Sequence, residues 1–161
     1  MGQVTDDDTD VILKKLGILF PSFYALYYVI SLLYLLAFGL PFSKFGYFPF
    51  YIDLNDFKPE LRDEDDDDRE LPLATWLAHV TTFLLTTWLI FFIVRSTRKA
   101  WDYACTIGFF HFIMCCVVMQ GFPLNWVWWV TIVISTFLLS SLGELTLYRC
   151  MDLRDIDLEN T

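Results

Sequence analysis

The chain has 161 residues, 56% of them hydrophobic and 19% aromatic, and its mean hydropathy is +0.47. That composition belongs to membrane proteins and excludes an ordinary soluble globule. The formal net charge of −9 is concentrated in one stretch, so it describes a loop more than a partner, and no nucleic-acid ligand is expected.

Four apolar runs approach bilayer length: Leu16–Leu40, Leu73–Val94, Tyr103–Phe122 and Trp126–Leu142. A helix needs about 20 mostly apolar residues to cross roughly 30 Å of hydrocarbon. None of the runs carries ionised side chains through its middle, and none shows the polar stripe of a soluble core helix. The predicted fold is an all-α, polytopic membrane protein: one antiparallel bundle of four transmembrane helices, over about residues 16–40, 73–94, 102–122 and 124–148.

An acidic arm (Asp6, Asp7, Asp8, Asp10) precedes the first run. That run is too long for a signal-peptide core and has no basic leader, so it is expected to be retained as a helix. The start Met-Gly-Gln-Val-Thr misses the myristoylation pattern, because the hydroxyl falls at Thr5. Along the first helix runs a stripe of Tyr24, Tyr27, Ser31 and Tyr34 at helical spacing.

A loop over about residues 41–71 follows. Its first half is aromatic (Phe42, Phe45, Tyr47, Phe48, Phe50, Tyr51) and is expected to lie along the membrane interface, where amphipathic rings are favoured. Its centre, from Arg62 to Arg69, is a like-charge run that repels itself and stays solvated. It lacks the Gly turn and spaced ligands of a calcium loop, so no specific ion site is predicted there. There is no Asn-x-Ser/Thr acceptor, and no cysteine lies in this loop to build a disulfide framework.

The second, third and fourth helices carry small or polar faces: Ala78, Thr82 and Thr86; Ala104, Gly108, His111 and Cys115; Thr136, Ser140 and Gly143. Helices in lipid associate through such faces, and bundle packing is the plain reading of them. The link Gln120-Gly-Phe-Pro-Leu-Asn125 is short, so helices three and four must form a tight hairpin. Gly121 is expected to permit the turn and Pro123 to start the next helix. Trp126, Trp128 and Trp129 then fall at one interface and Trp101 and Tyr103 at the other.

Positive charge sets orientation. Lys14, Lys15, Arg95, Arg98, Lys99, Arg149 and Arg154 collect on one face, against Lys44, Lys58, Arg62 and Arg69 on the other. Both termini are therefore expected in the cytosol, with the acidic loop lumenal and residues 149–161 a cytosolic tail. The tail alternates apolar and acidic residues, a pattern that suits either a docking segment or an unstructured end.

Intramembrane ionisable residues are candidates for function. His111 and His79 are the deepest, and a neutral ring hydrogen-bonded to a neighbouring helix is expected for each. His111 and Cys115 share a face, but two ligands do not make a zinc site, and no metal or cofactor is predicted. Gly143 and Glu144 form a candidate interhelix anchor that meets the base of the third helix, near Asp102 or its basic approach. Cys150, beside Arg149 at the membrane edge, is a candidate for palmitoylation. Catalytic sets are lacking: no Ser–His–Asp arrangement, phosphate-cradling Gly-rich loop, intramembrane carboxylate pair or HExxH. The chain is expected not to be an enzyme.

The series Trp101-Asp-Tyr-Ala, Gly108-Phe-Phe-His111, Phe122-Pro123-Leu, Trp128-Trp129, Gly143-Glu144 and Tyr148-Arg-Cys-Met-Asp resembles the Sys-one family of four-pass Golgi membrane proteins, including its little-characterised transmembrane-protein branch. The likeness covers about residues 95–157. It implies a receptor or scaffold at the trans-Golgi network that localises an Arf-like small GTPase and supports vesicle-mediated protein transport. Asp102, His111, Pro123, Trp128, Trp129, Gly143 and Glu144 are the residues carried over as structural or partner contacts. Two other readings stay open: a small transporter or channel subunit built on His79, His111 and Glu144, and an escort subunit that packs on another membrane protein or on a second copy.

Overall fold

The computed structural model describes residues 9–52, 70–94 and 97–159; the side chains of residues 97–99, 144 and 146–159 lie outside that description. The acidic Arg62–Arg69 stretch and the Asp6–Asp8 arm also fall outside the described residues. Four helices are present: α1 (Thr9–Ala37), α2 (Leu71–Ile93), α3 (Thr97–Met119) and α4 (Trp126–Glu159). Each is long and apolar enough to cross a membrane. Among the described residues there is no strand.

Several boundaries differ from the apolar runs, each for a local reason. α1 is already helical at Thr9, where its description starts, well before Leu16. It ends in a Schellman motif: the Leu40 N–H donates to the Leu35 carbonyl at 3.0 Å and the Gly39 N–H to Leu36 at 3.3 Å. Gly39 takes φ 66°, a left-handed conformation that costs glycine nothing. In the α3–α4 link the left-handed residue is Gln120, at φ 50°, and not Gly121. Pro123 does not start α4. Asn125 caps it, its side-chain oxygen accepting the Val127 N–H at 2.8 Å, which satisfies one of the otherwise unpaired first-turn donors. At its other end α4 continues to Glu159, so the segment past residue 148 is helical and not an irregular tail.

α1 packs along α2, α2 along α4, and α4 along α3. The small and polar faces turn inward, with Ala78, Thr82, Thr86, Ala104, His111, Cys115 and Ser140 all buried. Polar bonds join the helices: Tyr34 Oη with Thr81 Oγ1 at 2.9 Å and Trp76 Nε1 donating to Thr131 Oγ1 at 3.0 Å. At the end where the chain begins, Lys15 Nζ donates to the carbonyl of Val94, the C-cap of α2, at 2.9 Å. A cation there also suits the negative end of the α2 dipole.

The segment after α1 forms two 3₁₀ turns, Phe42–Lys44 and Phe48–Phe50. The first stays outside, with Phe42 exposed and stacked on Phe45. The second does not lie along the interface as expected. Phe48, Pro49 and Phe50 are all buried, packed against α1, α2 and α3. Residues 41–52 thus act as a strap whose second turn packs where α1 and α3 approach each other, two helices that also meet directly through Phe20 and Phe110 at 4.5 Å. Non-helical backbone at this depth is tolerated because it is enclosed by protein.

Candidate functional site

The deepest polar constellation is assembled by three helices under the strap. α1 supplies Tyr24 and Tyr27, α2 supplies His79, and α3 supplies His111 and Cys115. His79 is eight residues from the start of α2 and His111 eight from the end of α3, so both sit about 12 Å below the strap's face at the helical rise. Their ring centroids are 5.3 Å apart.

Among the described residues each histidine has one hydrogen-bond partner. Tyr27 Oη lies 3.1 Å from His79 Nδ1, across the α1–α2 interface. His111 Nε2 lies 3.5 Å from Cys115 Sγ, one turn along its own helix; its partner is therefore not on a neighbouring helix, as the sequence suggested. When the phenol and the thiol donate, each ring carries its proton on its other nitrogen. Those atoms, His79 Nε2 and His111 Nδ1, are buried and have no partner among the described residues, and neither does Tyr24 Oη.

Aromatic rings enclose the pair. His79 stacks on Phe83 at 4.5 Å. Around His111 stand Phe23 at 5.9 Å, Tyr27 at 5.4 Å, Phe83 at 5.9 Å and, from the strap, Phe50 at 6.2 Å. The result is a closed, uncharged nest, polar in its centre and aromatic on its walls. Among the described residues no group of three or more metal-ligating side chains converges, and no carboxylate faces the two rings.

The residues singled out from sequence fall in three places. His111 is in the nest. Pro123, Trp128 and Trp129 close the α3–α4 hairpin: the Trp129 indole donates to the Pro123 carbonyl at 2.8 Å, and Phe112 contacts both tryptophans at 5.9 and 5.3 Å. Trp128 is buried while Trp126 is exposed, so only part of this aromatic group faces outward. Gly143 sits at the opposite end, where Ile90 of α2 and Ala100 at the base of α3 close in on it. Asp102 is exposed on α3. The side chains of Glu144 and Cys150 lie outside the described residues. Sequence reasoning undervalued Tyr24, Tyr27 and the strap; the tyrosine stripe was visible, but nothing in the sequence paired it with His79.

Two curated relatives match part of the chain. A protein named Protein SYS1 homolog from Nematostella vectensis is 33% identical over 62 residues, which is 38% of this chain and 37% of that protein. Another of the same name from Dictyostelium discoideum is 37% identical over 70 residues, 42% of this chain and 28% of that protein. The matched stretch thus spans about a third of these relatives' length. No solved structure matches the chain. A family model described as SYS1, integral membrane protein S linking to the trans Golgi network, matches residues 5–158. With nearly its whole length covered, the chain belongs to the SYS1 family of integral membrane proteins.

Proposed function

We propose that this protein is a non-enzymatic membrane receptor or scaffold of the Golgi, which localises an Arf-like small GTPase at the trans-Golgi network and so supports vesicle-mediated transport. The observation that carries the reading is the family match along residues 5–158, whose description names the trans Golgi network. The geometry is compatible with it. The histidine nest is enclosed within the bundle, and its described polar groups present no nucleophile beside a base in an open cleft. In this reading the basic face, with both termini and the α2–α3 link, is cytosolic, and α4 extends from it as a helix available to a peripheral partner.

The test is removal of the protein from cells followed by imaging of Arf-like GTPases. Dispersal of one of them from Golgi membranes, reversed by restoring the chain, is the expected result. Full retention of all of them overturns the reading. Purified protein in sealed vesicles should conduct no ions or small solutes; flux that disappears in His111→Ala would favour a transporter instead.

A further inference from the structure

The chain contains two histidines, and the fold brings both into the nest from different helices. Their hydrogen bonds fix where the ring protons stand. The Tyr27 hydroxyl lies 3.1 Å from His79 Nδ1, and the Cys115 thiol lies 3.5 Å from His111 Nε2. A phenol and a thiol each have one proton to donate. With both donating, the rings keep their own protons on His79 Nε2 and His111 Nδ1. These two buried N–H groups have no partner among the described residues, and the buried Tyr24 hydroxyl has none either.

Two N–H groups cannot satisfy each other. A buried donor left unpaired costs about 1–3 kcal/mol, so the pair demands an acceptor with two lone pairs between the rings. A water oxygen meets that demand, accepting from both rings and keeping protons to donate to Tyr24 Oη. Buried waters commonly make about three hydrogen bonds to groups of this kind. The reach also agrees. Two N–H···O bonds that meet at one oxygen span up to about 5.8 Å, and the histidine centroids are 5.3 Å apart. The Tyr24 ring stands 6.2 Å from that of His111. An ion in this place would need an opposite charge beside it, and the rings around His111 (Phe23, Tyr27, Phe50 and Phe83) carry none.

We infer that the nest is a binding site for one buried water molecule, which joins Tyr24 of α1, His79 of α2 and His111 of α3 through a single oxygen. The water makes the nest a polar tie among three helices, with Phe50 of the strap closing over it. Polar contacts of this kind hold helices together in lipid, where apolar surface alone gives no preference for protein over lipid tails. The inference does not depend on the GTPase reading and stands if that reading fails.

The test is solid-state NMR of the full-length protein in phosphatidylcholine bilayers, with its histidines labelled with ¹⁵N. Tyr27→Phe identifies the His79 signals, because it removes the partner of that ring alone. The expected spectrum places the proton on Nε2 of His79 and on Nδ1 of His111, and both protons receive magnetisation directly from water. Tyr24→Phe, which removes one of the three partners of the water, should weaken that transfer at both rings together. The inference is overturned by other proton positions, by transfer from water at neither ring or at one only, or by a nitrogen–nitrogen coupling that marks a direct bond between the rings. Transfer that is unchanged in Tyr24→Phe overturns it as well.

Discussion

Gly108 sets the separation of α3 and α4, because a Cβ placed there would overlap the side chain of Thr136. Gly108→Ala should therefore cost about 1–3 kcal/mol, the usual penalty of overpacking. Thr136→Ala removes the obstructing Oγ1 and Cγ2, so the double substitution should recover most of the loss. Unfolding of the purified chain in mixed micelles measures both, and strictly additive effects would show that the two residues do not meet. The Tyr27–His79 bond is a weaker tie. Tyr27→Phe should lower stability by about 0.6 kcal/mol, the average for interhelix hydrogen bonds in lipid, and a loss several times larger would mean that the phenol anchors more of the nest than His79. These residues were partly legible. The spacing of Gly108 and His111 marked an inward face, but period alone does not say which residue stands opposite.

Helices were the easiest elements to read, since bilayer-length apolar runs have few other solutions. Their ends were harder, because capping is decided by single side chains. Pro123 was the expected start of α4, but the cap at Asn125, two residues on, sets it instead. Asn125→Ala should cost about 1 kcal/mol, readable by the same micelle unfolding, whereas Pro123→Ala keeps the carbonyl that accepts from the Trp129 indole and tests only the stiffness of the turn. The tail shows a different limit. Alternation of apolar and acidic residues advances about 200° per step on a helix, so it spreads apolar groups around α4 and gives no amphipathic face to recognise. The strap was misread because aromatic residues suit an interface and a buried plug alike; composition does not fix depth. Its burial makes a sharp prediction. Phe48→Ala and Phe50→Ala should each cost about 3–5 kcal/mol, as for buried phenylalanines, while an interfacial segment would lose at most about 0.5 kcal/mol. Phe50→Ala should also speed amide exchange across residues 41–52, where only a few backbone bonds hold the turns.

At the scale of the whole molecule, four antiparallel spans place both termini and the α2–α3 link on one face, and the strap with the α1–α2 loop on the other. The seven basic residues on the first face outnumber the four on the second. Acidic residues count little in orienting a chain, so the aspartates around residue 65 do not offset Arg98 and Lys99, which begin α3 directly after a short link. The orientation this charge balance predicts has the link retained in the cytosol and the strap entering the bundle from the lumen. Natural acceptor sites are lacking, so an Asn-x-Ser/Thr sequence inserted near residue 60 reports the outcome cleanly. It should be glycosylated when the full chain is made in cells, and the same sequence appended after Thr161 should not. Glycosylation of the appended site alone would invert the bundle. It would also leave no cytosolic role for the helical extension of α4.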